Sequence, residues 1–598
     1  MKLQTHILAT SFFYGAALAA GAPAGTTMAT TTDDTTRTAL HRLFDEQWEF
    51  WMREIPTWAS TLGDRRWNDQ WSEETASAYA RRDAHDKDVL SRLRKLDHLA
   101  LTPEDQLNFD LFARKLDDDI DERRWRTWLM PVGHQGGIQT QDELADALRF
   151  TTVKDYDDWL RRLERLGDRV DQTVGLMRQG MKEGLVPPRV LMQRVPPQIA
   201  HQIVADPEQS PFYKAFRAYP ESIAEADRKR LSEGAKKAIR DVVVPAYQRL
   251  AEFFNREYLP ACRTTIAASE LPQGAAYYAS CVRRETTTAL TPQEIHAIGL
   301  KEVARIHGEM EAIIQKLEFK GDFAAFLQFL RSDPRFFAKD GAELLAIYRA
   351  TSKRIDPELV KLFGKLPRMP YGVQPIPDEI APDTTTAYYN APAADGSRAG
   401  TYFVNLYKPE VRPLWEIEAL SVHEAVPGHH LQIALAMELS DLPRFRRYTG
   451  PTSYIEGWGL YAESLGGELG LYQDPYAKFG QLTYEMWRAV RLVVDTGMHS
   501  LGWSRAQAID YFKANAAKTE YDIVNEIDRY IAWPGQALAY KVGELKIKEL
   551  RARAAAALGL SFDVRRFHDT VLEAGAVPLD VLERRVDAWI AREKAGAR

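Results

Sequence analysis

Apolar residues recur at helical spacing along most of the chain. Leu40, Leu43, Phe44, Trp51 and Ile55 share one face and stop at Pro56, which predicts an amphipathic helix. Thr102-Pro-Glu-Asp105 and Thr291-Pro-Gln-Glu294 read as helix starts: a capping hydroxyl, proline at the first helical position, and an acid at the third. The second opens a helix whose Ile295, Ile298, Ile306, Met310, Ile313 and Leu317 form a core stripe. His296 and His307 on that helix read as surface or satisfied side chains. Val186-Pro-Pro188 and Val195-Pro-Pro197 predict a loop between helices, and no internal repeat is present.

The pattern changes between Pro367 and Gly400, where Pro367, Pro370, Pro375, Pro377, Pro382 and Pro392 forbid a helix. Thr386-Ala-Tyr-Tyr389 and Thr401-Tyr-Phe-Val-Asn-Leu406 alternate and are rich in aromatic and β-branched residues, with Asp395-Gly396 between them as a turn signal. A small hairpin over 386–406 is expected to feed a helix over 413–440. The rest is helical again. The fold class is mostly α, with this hairpin or small sheet next to the helix that carries the chemistry.

That helix contains Ser421-Val-His-Glu-Ala-Val-Pro-Gly-His-His430, which places three of the 13 histidines and an acid within eight residues. In H-E-x-x-H two zinc ligands share a helical face beside a general base. Here Pro427 stands at the i+4 position, so the helix should kink or bulge. A bulge of two extra residues brings His429 to the second-ligand position, whereas an undistorted helix favours His430. Glu424 is the natural base, because a metal-activated water needs a carboxylate to take its proton. A third ligand is expected from another helix. Glu456 lies 27 residues beyond His429, and Glu463, seven further on the same face, is either the alternative ligand or a partner that orients a histidine. Tyr454, Trp458 and Tyr461 suggest a buried wall around these acids.

Net charge is −6 over 598 residues without a basic run, which argues against nucleic acid as a partner. Lys2, the apolar Ile7–Ala20 stretch and the small-residue sites Ala17-Leu-Ala19 or Ala22-Pro-Ala24 read as a secretory leader (1–24), with a disordered tail as the alternative. A Thr-rich linker (25–38) follows, then a helical part (39–366) and a metal-binding part (367–598). No other run is long enough to span a membrane. The expected location is therefore periplasmic or secreted. Cys262 and Cys281 either form one disulfide or remain two buried thiols.

Four stretches resemble the bacterial domain-of-unknown-function 885 family: H-E-x-x-P-G-H-x-x-Q (His423–Gln432), E-G-W-x-x-Y-x-E (Glu456–Glu463), W-R-x-x-R-x-x-x-D-x-G-x-H (Trp487–His499), and R-Y-x-x-x-P-G-Q-A-x-x-Y-K-x-G (Arg529–Gly543). Leu271-Pro-Gln-Gly274 with Tyr277 and Tyr278, and the Tyr388–Asn405 hairpin, also look like that family. The resemblance covers roughly 40–595 as one continuous domain. It is distantly similar to helical zincins such as thimet-type oligopeptidases and Taq-type carboxypeptidases, which implies a multi-helix fold with a deep cleft. The retained Gly-His pair favours His429 as second ligand.

The resulting expectation is a zinc metallopeptidase, an oligopeptidase or exopeptidase, with one zinc on His423, His429 and Glu456, and His430 and Glu463 as alternates. Glu424 is the base, and His499 and Tyr530 are oxyanion donors. Arg529 and Tyr540, with Tyr402 and Asn405 of the hairpin, are expected to hold peptide; alternatively Arg529 pairs with Asp528 or Glu526 on its own helix. A non-catalytic peptide-binding protein and a hydrolase of a non-peptide amide are the competing functions.

Overall fold

Side-chain caps fix where the long helices begin. Thr102 accepts from the Asp105 backbone N–H, and Thr291 and Glu294 close a reciprocal capping box, so both proline-started helices form as expected. The computed structural model describes residues 31–378, 381, 385–392, 398–439 and 442–596. The leader, the first residues of the linker and the Asp395-Gly396 turn lie outside these.

The chain forms two compact units. The first runs to Ile266 and also takes in Glu270–Gln273 and Pro443–Phe445. Its main helices are α1 (Thr31–Glu54), α2 (Ala76–Leu93), α3 (Pro103–Arg124), α4 (Val153–Glu183), α5 (Glu225–Ala238) and α6 (Val244–Phe253). α2 pairs with α3, and α4 packs on α5 and α6. Leu40, Leu43, Phe44 and Trp51 of α1 are buried as the pattern requires, and Phe44 meets Phe112 and Phe445. Two expectations change in this unit. Residues 31–38, read as linker, belong to α1, and Val195–His201 is a short helix, because prolines in a first turn forfeit no hydrogen bond.

The second unit comprises Ala267–Ser269, Gly274–Leu442 and Arg446 onward. Its elements are α7 (Gly274–Thr286), α8 (Pro292–Lys316), α9 (Gly341–Ile355), β1 (Tyr371–Pro375), β2 (Ala387–Asn390), β3 (Gly400–Val404), α10 (Ile417–Glu424), α11 (His429–Met437), α12 (Thr452–Leu465), α13 (Pro475–Ser500), α14 (Glu520–Ala532), α15 (Ala539–Leu558), α16 (Val564–Leu572) and α17 (Leu579–Gly596), joined by shorter helices. The division therefore falls near residue 270 instead of 366, since α8 lies along α13 and belongs to the same core. Cys262 and Cys281 are buried and not joined by a disulfide.

The sheet order is β1-β3-β2, with β2 antiparallel and β1 parallel to β3. β2 and β3 are the expected hairpin, and β1 extends it. Val373, Ala387, Tyr402 and Val404 pack on Leu344 and Tyr348 of α9 and on Ile417, Ala419 and Leu420 of α10. α10 is thus held between the sheet on one side and α12 and α13 on the other. That sandwich fixes the position of His423.

α12 and α15 cross at closest approach through glycine. A Cβ on Gly543 would stand 1.8 Å from the Ser453 carbonyl oxygen and 2.7 Å from the Gly457 Cα. Gly543→Ala is expected to lower stability by about 3 kcal/mol, because only backbone can yield there. Thermal unfolding checks this, and an unchanged midpoint would contradict the tight crossing.

His568 of α16 closes the back of α12. Its Nδ1–H donates to the Leu362 carbonyl (2.8 Å), and its Nε2 accepts from the Tyr461 hydroxyl (2.7 Å). Burial pushes its pKa down to about 4. The unfolded imidazole binds a proton near 6.5, so this contribution is complete above pH 6.5 and is lost as pH falls toward 4, by roughly 3 kcal/mol in total. Denaturant midpoints compared at pH 7 and 4.5 should fall more steeply for the parent than for His568→Phe; equal slopes would rule this group out.

Candidate metal centre

The motif does not form one helix over 413–440. α10 ends at Glu424, α11 begins at His429, and Ala425 (φ −96°, ψ −110°) and Gly428 (φ −75°, ψ −126°) leave the helical region between them. The break is held by hydrogen bonds: Gly428 N–H donates to the Val422 carbonyl (2.9 Å), and the His430 N–H donates to that of Ala425 (3.0 Å). Trp458 Nε1–H of α12 donates to the Pro427 carbonyl (2.8 Å). Only glycine fits at 428, where a Cβ would lie 1.9 Å from the His423 carbonyl oxygen.

This detour turns His429 toward His423. The two rings stand at 89° with centroids 4.7 Å apart. Glu456, from the facing side of α12, brings Oε2 to 3.7 Å from His423 Nε2 and 3.6 Å from His429 Nε2. One ligand atom from each residue lies within 4.8 Å of the others, so the three form a potential metal cluster. Separations of 3.6–3.7 Å are too long for hydrogen bonds. They match the edge of a tetrahedron around zinc, about 3.4 Å for ligand distances of 2.0–2.2 Å. Two imidazoles and one carboxylate with an adjacent glutamate are also the donor chemistry that zinc takes. The residues fit the ion.

Glu463 stands outside the three-residue cluster and bonds the other nitrogen of His423. Its Oε1 accepts from His423 Nδ1–H at 2.8 Å, leaving Nε2 to face Glu456. Gly459 gives the His423 ring its space, since a Cβ there would meet Cε1 at 2.8 Å. Burial opposes charge on His423, yet Glu456 and Glu463 lift its pKa to about 9. Burial likewise raises Glu456, but His423 and His429 outweigh it and hold the carboxyl below its ordinary range. Glu424, partly exposed, carries no hydrogen bond among the described residues, and its desolvated surroundings raise its pKa against the pull of both histidines.

His430 is turned away from the cluster. Its Nδ1 accepts from the Tyr389 hydroxyl of β2 (2.8 Å), and its Nε2–H donates to the Met369 carbonyl (3.1 Å), so it ties α11 to the sheet.

Other expected site residues are placed differently. His499 is fully buried: the Ala268 N–H donates to Nδ1 (2.9 Å), and Nε2–H donates to the Tyr530 carbonyl (3.0 Å). Both nitrogens are occupied by backbone, so it is not an oxyanion donor. The Tyr530 hydroxyl donates to Glu526 (2.6 Å) and accepts from Arg491 Nε (2.7 Å) and Trp487 Nε1 (3.1 Å). Its proton is committed to Glu526. Arg529 pairs with Glu526 (3.2 Å), the alternative weighed for it, and donates to Gln536 Oε1 (2.6 Å), while Asp528 pairs with Arg505. Tyr402 sits in the central strand, buried against Tyr348, and Asn405 donates to the Ala381 carbonyl (2.7 Å) and to that of Thr385 (3.1 Å). Both side chains are buried. Tyr540 lies under the Arg491 guanidinium, 4.4 Å from ring centroid to Cζ.

Trp458 forms the buried wall expected of it, whereas Gly459 and Arg488 carry no expected role although both stand inside the quoted motif stretches. Arg488 Nη2 approaches Glu463 Oε1 at 3.6 Å, behind the first histidine.

Among solved structures, that of a candidate lipoprotein from Colwellia psychrerythraea is similar at 29% identity and a TM-score of 0.85, covering 93% of this chain and 99% of its own. A candidate lipoprotein of unknown function from Shewanella oneidensis shares the fold at 17% identity and a TM-score of 0.71, covering 91% and 99%. No curated protein matches the sequence. The family described as "Bacterial protein of unknown function (DUF885)" matches residues 56–586, and the chain belongs to it.

Proposed function

We propose that this chain is a zinc-dependent hydrolase of peptide bonds in short peptides. The observation that carries the reading is the convergence of His423 Nε2, His429 Nε2 and Glu456 Oε2 beside a Glu424 carboxylate that no donor engages among the described residues. Zinc, when bound, supplies Lewis acidity, acidifying water and polarising a carbonyl. His423, His429 and Glu456 would hold it, and Glu463 fixes the ring of His423. Glu424 takes the proton from the attacking water at its carboxylate and returns it to the departing amine. Its partly desolvated position weakens its solvation and so favours proton uptake.

A peptide as substrate is supported by β2, an edge strand packed beside α10, which suits pairing with an extended main chain. The resemblance of the motif to helical zincins supports the same class. The lipoprotein descriptions of the two structural relatives support a place outside the cytoplasm, and no described helix is long and apolar enough to cross a membrane.

The test is metal analysis of the purified protein together with a peptide-library digest read by mass spectrometry. One zinc per chain and defined cleavage are expected. Zinc without cleavage would make the chain a binding protein, and cleavage undiminished by chelation would remove the metal from the mechanism.

A further inference from the structure

Beside the metal-ligand cluster, α13 carries two arginines three residues apart, Arg488 and Arg491, both over nine-tenths buried. Their Cζ atoms lie 5.2 and 5.0 Å from the Trp487 ring and 6.0 and 4.4 Å from the Tyr540 ring. Arg491 donates from Nε to the Tyr530 hydroxyl and from Nη2 to Glu526 Oε2 (3.1 Å). Arg529 draws on that same Glu526 oxygen. One carboxylate therefore serves two guanidiniums. Arg488 donates from Nη1 to the Tyr484 carbonyl, and its nearest acid, Glu463, is already bonded to His423.

The cluster is short of acceptors. Arg488 Nε, Arg491 Nη1 and Gln536 Nε2 are buried donors with no hydrogen-bond partner among the described residues. Buried N–H groups without acceptors are rare and costly; here Arg491 and Gln536 are linked through Glu526 and Arg529, and Arg488 lies beside Arg491 over the same Trp487 and Tyr540 rings. The complement is an anion with several acceptor lone pairs, and a planar carboxylate matches guanidinium geometry. Arg529, Glu526 and Trp487 are partly exposed, so the network is open to solvent along that side.

We propose that Arg491 and Arg488, with Gln536, seat the C-terminal carboxylate of the peptide, so that the substrates are peptides with a free acid end. This rests on the peptidase reading above. Arg529 has a different part: it shares Glu526 and holds Gln536 by its oxygen, which leaves the Gln536 amide N–H₂ and the second Arg491 nitrogen for the ligand.

The test measures binding instead of turnover. Zinc-loaded Glu424→Gln protein is mixed with an acetylated tetrapeptide library prepared once as free acids and once as C-terminal amides, and retained peptides are identified after ultrafiltration. Free acids should be retained about 10-fold or more over amides, the worth of a hydrogen bond to a charged group. Arg491→Ala in the same background should erase the preference, and Arg491→Lys should keep part of it. Zinc content and circular dichroism of each variant show whether it is folded. Equal retention of acids and amides by the parent, or retention of neither, overturns the carboxylate seat without reference to any arginine variant. Selective retention of acids by a protein whose wild type cleaves nothing would defeat the peptidase reading and leave the seat standing.

Discussion

Glu424→Gln is expected to keep its fold and its zinc while losing peptide hydrolysis by about 10²–10⁴-fold, the usual worth of a positioned general base. The change replaces one oxygen by a nitrogen, so size and packing hold. It touches none of the three convergent ligand atoms, which belong to His423, His429 and Glu456. What it removes is a carboxylate next to His423 that is neither one of the three convergent ligands nor hydrogen-bonded among the described residues. Glu463 cannot substitute, because it is fully buried and accepts from His423 Nδ1–H. The loss should appear in kcat with little change in KM, since Glu424 acts on the proton in flight and not on the bound peptide. Cleavage near the wild-type rate in a zinc-replete variant would sink the mechanism.

The sequence carried the motif well and the residues around it unevenly, for a physical reason. Adjacent His423 and Glu424, the proline at the i+4 position, and two acids seven residues apart are all local facts. Helix periodicity converts them directly into positions on a surface. The capped helix starts and the hairpin strands were readable on the same terms. β1 was not, because a five-residue parallel strand ending at Pro375 has no local signature and forms only against β3. Arg491, Asp495 and His499 recur every fourth residue within the Trp487–His499 motif, but what they do depends on what packs against α13. Asp495 turns out to accept from the Tyr278 hydroxyl (2.6 Å) and the Gly535 N–H (3.2 Å), which fixes the Pro-Gly break after α14. His499 likewise reaches Ala268, 231 positions away. Buried polar residues at helical spacing are ambiguous between catalysis and structure until their partners are known. The same ambiguity made Tyr402 and Asn405 look like substrate contacts, when Tyr402 lies on the central strand and Asn405, just past its end, bonds the carbonyls of Ala381 and Thr385.

The second large effect separates the two neighbouring histidines. His429→Ala is expected to lower zinc affinity by more than about 100-fold, because even losing a residue that only orients a ligand costs 10–100-fold and this residue supplies a ligand atom. His430→Ala should retain the metal. Its ring is turned toward Tyr389 and the Met369 carbonyl, so its loss should instead cost roughly 1–3 kcal/mol of stability through two broken buried hydrogen bonds. Glu463→Gln belongs between them, with affinity reduced about 10–100-fold as His423 loses its orienting carboxylate. Competition of each variant against a zinc chelator of known affinity, with thermal unfolding of the same samples, yields both quantities. The ordering is the sharp part. The break at Ala425–Gly428 displaces the helix so that position 429 faces His423 and position 430 faces the sheet. If His430→Ala shed zinc and His429→Ala kept it, the chain would have to run through Pro427 as a continuous helix, and the ligand set would be wrong.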